Sequence, residues 1–210
     1  QEERRRQLLK LMLPTEQART MLLQTAEALR RADAGDADAR PLVRILTPLI
    51  KFRACRDARQ VTADAMEVRG DCGYIEEWGD ARRVRDAMLG SIWEGTSNIV
   101  ALDVLRAIRR DAALDACTAH LRKLLAGTPL HEGARRLFDA SLLRVTEAAA
   151  AVAGRGAPGE SAARQVASAL YHLFTATAMA WEAGRIGSPR RMHLAQCVLR
   201  QRVLPRDPLA

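Results

Sequence analysis

The sequence predicts an all-α protein, and three observations carry that expectation. Ala and Leu are abundant while β-branched residues are few, aromatic residues make up only 4% of the 210, and apolar positions recur at helical spacing. Nowhere does the period-two alternation of a half-buried strand appear.

Taken in order, Pro14-Thr15-Glu16 reads as a helix start. An apolar stripe at Met21, Leu22, Ala26 and Leu29 follows, with a stop at Ala34-Gly35-Asp36. A second helix is expected over about 41–68, facing inward through Leu42, Ile45, Leu49, Phe52 and Cys55, then Val61, Ala65 and Val68. Pro48 falls inside that pattern and predicts a kink or break near Thr47.

Between Gly70 and Gly95 the texture changes to glycines among charges and aromatics, with one short helical piece at 81–88. Such a stretch between long helices is where a helical protein offers backbone to a ligand. After Gly95, Thr96 or Ser97 can cap a helix carrying Ile99, Leu102, Leu105 and Ile108, with Asp103 and Arg106 as i, i+3 neighbours. Further helices are expected at about 111–126, 131–153, 160–183 and 189–203. The third of these has a stripe of Val166, Leu170, Phe174, Ala178 and Trp181, and 154–159 is the plainest loop.

No apolar run approaches the roughly 20 residues that span a bilayer, so a soluble protein is expected. The four cysteines are scattered without a CxxC pair, and the four histidines show no ligand spacing. Reduced thiols, a cytoplasmic location and no metal site follow as expectations. The chain opens on Gln1-Glu2-Glu3-Arg4-Arg5-Arg6, without Met or an apolar leader, which reads as a piece of something longer. A net charge of +8 suggests an anionic partner, and nucleic acid, coenzyme A phosphates and a dinucleotide pyrophosphate all qualify.

Two pieces of the glycine-rich stretch stand out. Glu67-Val68-Arg69-Gly70-Asp71-Cys72-Gly73-Tyr74 places glycines where a helix ends, which is either an ordinary cap or backbone left open to a ligand. Glu94-Gly95-Thr96-Ser97-Asn98 places a carboxylate just before a helix N-terminus. Glu94 is there either a solvated side chain favoured by the helix dipole or a positioned base. As a base, it would have Gly95 leaving room for substrate and Trp93 helping to exclude water and raise its pKa.

Residues 60–106 resemble the second signature region of the acyl-CoA dehydrogenases. That pattern runs from a helix ending in Gln-x-x-Gly-Gly-x-Gly-Tyr/Phe, through an acidic-aromatic stretch and Arg-Asp, to Ile-Tyr/Trp-Glu-Gly-Thr/Ser. Here it is matched by 67–74, by Glu76-Glu77-Trp78, by Arg85-Asp86 and by Ile92-Trp93-Glu94-Gly95-Thr96. Ala65-Met66-Glu67-Val68, Leu102-Asp103-Val104-Leu105-Arg106 and Thr47-Pro48-Leu49-Ile50-Lys51-Phe52 are most similar to the AidB-like, alkylation-response branch.

The resemblance implies a C-terminal helical bundle over 1–110 followed by an additional helical tail domain over 111–210. It implies an FAD-dependent oxidoreductase that desaturates an acyl-CoA thioester, with Glu94 as the base that removes the α-proton. Thr96, Ser97 and Asn98 would face FAD, and Glu67, Val68, Arg69, Gly70 and Asp71 would meet the FAD of a neighbouring subunit. Trp93 and Gly95 would line the substrate. A homodimer or homotetramer and an electron-transfer flavoprotein partner are implied as well.

Glu67 stands where the pattern has Gln, and Asp71 stands where it has the second Gly. Asp71 reads as an outward-turned residue. No segment reads as the β-domain that holds the flavin ring, so these residues alone are expected to be inactive and colourless. Two competing expectations remain. One is an AidB-like flavoprotein whose tail binds DNA through Arg106, Arg109, Arg110, Arg122, Lys123, Arg135, Arg136, Arg190, Arg191, Arg200 and Arg202. The other is a pseudo-enzyme whose cofactor turn is spoiled by Glu67 and Asp71.

Overall fold

The computed structural model describes residues 2–204, except for the side chains of residues 3 and 4. Every regular element among them is helical. Helix α1 spans Glu2–Asp33 and α2 spans Ala39–Val68. Between them Gly35, at φ +92°, and an Arg31–Asp36 ion pair at 2.6 Å turn the chain back into a hairpin. Such a short connection forces antiparallel neighbours.

Neither proline bounds a helix. Pro14 lies inside α1 rather than at its start, and of the kink or break expected at Pro48 the break does not occur, since α2 runs through it. An internal proline costs about 3 kcal/mol through its missing N–H and ring clash. Both rings are buried, Pro14 against α2 beside Ala54 and Val61 and Pro48 on the side of α2 that faces α5, and that burial offsets part of the cost.

The stripe on α1 also differs from expectation. Its inward face is Leu13, Gln17, Thr20, Met21 and Ala28, whereas Leu22, Ala26 and Leu29 are exposed. Two polar residues, Gln17 and Thr20, occupy core positions that hydrophobicity could not mark. The Gln17 amide lies 3.0 Å from His172 Nδ1 and donates to Thr175 Oγ1 at 2.7 Å.

After α2 come a single turn α3 (Asp71–Tyr74), α4 (Gly79–Leu89), α5 (Ser97–Arg110), α6 (Ala113–Ala126) and α7 (Glu132–Gly154). The segment expected to be a loop at 154–159 instead winds into a 3-10 turn, Ala157–Ala162, which leads into α8 (Ala163–Ile186). Helix α9 (Pro189–Val198) ends in a π turn, Leu199–Val203.

Helix α8 is the axis of the molecule. It packs against α1, α2, α5, α6, α7 and α9, and every residue over 170–180 is buried. A helix buried on all sides carries apolar residues all round rather than on one stripe. One continuous core joins Leu42, Ile45 and Leu49 of α2, Val104 and Leu105 of α5, Leu121 of α6, Phe138 of α7 and Phe174 of α8, running across position 110.

Charge fastens the ends. Arg191 of α9, only 7% exposed, pairs with Glu16 of α1 at 2.8 Å and with Glu182 of α8, and donates to Thr20. Removing either carboxylate leaves the buried Arg191 with a single carboxylate partner, so a substitution in this cluster is destabilising.

His120 of α6 stacks on Phe174 at 5.8 Å between ring centroids. Burial, with Arg31 and Lys123 nearby, pushes its pKa down to about 4. His172 is also pushed well down by burial. Both therefore fold neutral, and the unfolded chain binds more protons below the ordinary histidine pKa of about 6.5. Stability is fully present above that value and falls as pH drops toward 4, by up to about 1.4 kcal/mol per pH unit per histidine. Replacing His120 with Gln should flatten the slope of urea-unfolding free energy between about pH 6.5 and 5. An unchanged slope would show that His120 is not held neutral by the fold.

Candidate functional site

The loop between α4 and α5 carries Glu94. Three backbone donors fold it tightly: Ser91 N–H to Met88 O at 3.2 Å, Ile92 N–H to Leu89 O at 2.9 Å and Trp93 N–H to Leu89 O at 3.1 Å. Glu94 then takes a left-handed conformation, φ +55°, and Gly95 follows at φ +108°. A non-glycine residue held in that region costs about 1–3 kcal/mol, so something must hold it there.

That support comes from one face of α2. Lys51 Nζ donates to the carbonyls of Gly90, at 2.8 Å, and Trp93, at 2.6 Å. One turn on, Cys55 packs against Gly90, its Sγ 3.4 Å from where a Cβ would stand. Arg59 donates to Ser91 Oγ and Arg56 to Ser97 Oγ, each at 3.3 Å. Lys51, Cys55 and Arg59 are spaced i, i+4, i+8 and so share one face. Cys55, expected on the inward stripe, belongs to this loop-facing side.

Glu94 borders a groove of about 490 Å³. Val43, Thr47, Pro48 and Lys51 of α2 form one wall, and Ile99, Val100, Asp103 and Arg106 of α5 form the other. Arg44 of α2 crosses behind, holding Asp103 through two 2.9 Å hydrogen bonds and Asp111 at 2.9 Å. The Arg44 guanidinium keeps the Asp103 carboxyl below its ordinary range. Arg106 pairs with Asp103 at 2.8 Å, as the i, i+3 spacing predicts.

Glu94 itself is exposed and its backbone N–H donates to no acceptor among the described residues. Trp93 is 65% exposed, so it does not shield Glu94 from water within this chain. Gly95 is required by its φ, while a Cβ there would only reach ordinary contact with Val100 Cγ2 at 3.4 Å. Thr96 occupies the N-cap position of α5 without a side-chain cap bond. The α5 stripe is shifted too: Val100, Ala101, Val104, Leu105 and Ala107 are buried, whereas Ile99 is exposed.

The turn at 67–71 lies apart from Glu94, roughly 24 Å along α2 from Lys51 at 1.5 Å per residue. A single chain does not bring the two together. Arg69 pairs with Asp80 at 2.8 Å and lies over Trp78 at 5.9 Å, so it is not aimed at Asp71. Asp71 is exposed at the start of α3. Glu67 and Val68 are exposed as well, and Gly70 sits at φ +63°. Gly73 is the steric key, because a Cβ there would lie 2.2 Å from the Met66 carbonyl oxygen.

Several cations of the basic tail are committed inside the chain. Arg109 donates to the carbonyls of Ala153 and Gly156, and Arg135 to those of Leu125 and Thr128. Arg136 pairs with Glu132, and Arg191 is buried. Among the described residues no group of His, Cys, Asp and Glu could hold a metal ion, and no helix is long and apolar enough to cross a membrane.

Gly73→Ala should displace α3 or lower stability by about 1–3 kcal/mol, the usual cost of overpacking. Chemical denaturation checks this, and a neutral result would mean that α3 does not seat against α2 as described.

Comparisons with known proteins bear on the family. Over 108 residues the chain is 40% identical to the putative acyl-CoA dehydrogenase AidB of Escherichia coli, covering 51% of this chain and 19% of that protein. It is 33% identical over 125 residues to acyl-CoA dehydrogenase family member 11 of Caenorhabditis elegans, covering 58% of this chain and 20% of that one. The chain thus spans about a fifth of the length of these relatives. The crystal structure of Caenorhabditis elegans ACDH-11, in complex with C11-CoA, superposes with a TM-score of 0.86 at 22% identity, over 96% of this chain and 36% of that one. That likeness shows the shared fold across both halves of the molecule. Residues 2–109 match the acyl-CoA dehydrogenase C-terminal domain, and the chain belongs to the acyl-CoA dehydrogenase family.

Proposed function

We propose that this chain supplies the catalytic base and part of the flavin site of an FAD-dependent acyl-CoA dehydrogenase. The observation that carries the proposal is the Glu94 carboxylate, which borders the α2–α5 groove on a loop pinned in a left-handed conformation. An acyl thioester seated along the groove would present its α-carbon to that carboxylate, which takes the α-proton. The uncommitted Glu94 N–H would donate to the thioester carbonyl and stabilise the charge that develops there.

FAD, when bound, supplies the acceptor for the hydride that leaves the β-carbon, giving a trans-enoyl product. The residues present fit it at one end of α5. Thr96 and Asn98 are exposed with no hydrogen bond from their side chains, and no side chain caps the first backbone N–H groups of α5. Such a helix start presents free donors to a polar ligand. The 67–71 turn fits a different part of the cofactor. With Arg69 drawn to Asp80, the exposed Glu67 and Asp71 present acceptors suited to ribose hydroxyls or an amino group rather than to a pyrophosphate. The remaining contacts to flavin and acyl chain would come from outside these 210 residues, so this piece alone should not turn over.

In the intact flavoprotein, Glu94→Gln should lower turnover of an acyl-CoA about 10²–10⁴-fold, the usual worth of a general base. Bound FAD, read from its visible absorbance, should be unchanged. Turnover that survives the substitution would assign the base to another carboxylate.

A further inference from the structure

Of the α2 side chains that support the Glu94 loop, Lys51 makes the two shortest contacts. Its ammonium reaches the carbonyl of Gly90 at 2.8 Å and that of Trp93 at 2.6 Å, so it closes the loop from both ends. The second of these carbonyls belongs to the peptide unit that leads directly into Glu94. Rotation of that peptide is what a change in the Glu94 φ/ψ pair would require, and a cation fixed on its oxygen opposes it.

Lys51 has no carboxylate partner among the described residues, so its charge is spent on these two oxygens. It projects from the middle of α2, one residue before the buried Phe52 and two after the buried Leu49, on backbone held by the core. Arg59 and Arg56 add weaker contacts at 3.3 Å, and neither reaches the backbone around Glu94. All four are charge-assisted, but the Lys51 bonds are shorter by 0.5 Å or more and fall on the loop backbone itself, which places the larger share of the restraint on Lys51.

We propose that Lys51 is the positioning residue of this site: by gripping the Gly90 and Trp93 carbonyls it holds Glu94 in its left-handed conformation and aims the carboxylate into the α2–α5 groove. The inference rests on Glu94 being the base. Although Lys51 also lines the groove, its ammonium is turned onto the two loop carbonyls, so the role proposed for it is exerted through the loop. Its loss would cost the rate of proton abstraction more than substrate affinity, because a displacement of about 1 Å at a reacting group can cost 10²-fold in rate.

The test uses the intact flavoprotein with Lys51→Met, Lys51→Gln and Lys51→Arg, and with Glu94→Gln alongside. Two readouts are taken: backbone hydrogen exchange over residues 90–96, and anaerobic flavin reduction by octanoyl-CoA as the probe. Lys51→Met should speed exchange in the loop about tenfold or more. It should slow the limiting rate of flavin reduction roughly 10- to 100-fold, with the half-saturating octanoyl-CoA concentration changed less than about threefold. Lys51→Arg, which keeps the charge and several donors, should recover part of both effects. Lys51→Gln, a smaller change that keeps one donor group, should fall between Met and Arg, and it serves if the Met variant does not fold. Unchanged loop exchange, or a limiting rate within about twofold of the parent, would overturn the proposal. If Glu94→Gln still reduces flavin normally, the base assignment fails, while loop exchange in the Lys51 variants still decides whether Lys51 holds the loop.

Discussion

The structure depends on α2 being usable on opposite sides at once. One side, Leu42, Ile45, Leu46, Leu49 and Phe52, is sealed into the core, which fixes the helix in place. The other carries Lys51, Cys55 and Arg59 against the loop that holds Glu94, while Arg56, over the Phe52 ring, reaches Ser97 from the margin of the core side. Because the first side cannot move without breaking the core, the second is a rigid backing. A strained residue at φ +55° can therefore persist on an otherwise exposed loop. The same helix ends in the 67–71 turn, so its length of 30 residues sets the separation between that turn and the Glu94 loop.

Much of the fold was legible because long amphipathic helices leave a periodic trace. The bounds of α2, α6, α7 and the end of α1 fall close to the expected positions, and Gly35 marks its turn through the left-handed backbone that it alone supplies cheaply. Misreadings came where tertiary burial overrides local preference. Pro14 and Pro48 look like boundaries in sequence but lie buried inside their helices, the first against α2 and the second facing α5. Leu22 and Leu29 look like core but face outward, while Gln17 and Thr20 look like surface and are sealed in by His172, Thr175, Glu182 and Arg191. A paired polar residue is as good a core residue as an apolar one, and no periodicity of hydrophobicity can reveal its partner.

The candidate site divides along the same line. Glu94 and its neighbours were visible as a motif, since the Trp-Glu-Gly-Thr order is local in sequence. Lys51, Arg56 and Arg59 were not, because their partners lie 32–42 positions away and carbonyl groups leave no mark in a sequence. The traces available were Lys51 within the Thr47–Phe52 motif and Lys51 and Arg59 two turns apart on the outer side of an amphipathic helix. The basic tail shows the converse: charge is countable in sequence, but only the fold reveals that Arg109 and Arg135 are spent on helix-end carbonyls and Arg191 on an internal cluster.

A crystal structure of the intact flavoprotein bound to a non-reducible acyl-CoA analogue tests Glu94 as the base most directly. The thioester should lie in the groove between α2 and α5, with a Glu94 carboxylate oxygen about 3–3.5 Å from the α-carbon, the separation of a near-attack arrangement. Lys51 should still be on the Gly90 and Trp93 carbonyls. A thioester seated elsewhere, or a different carboxylate facing its α-carbon, would contradict that assignment.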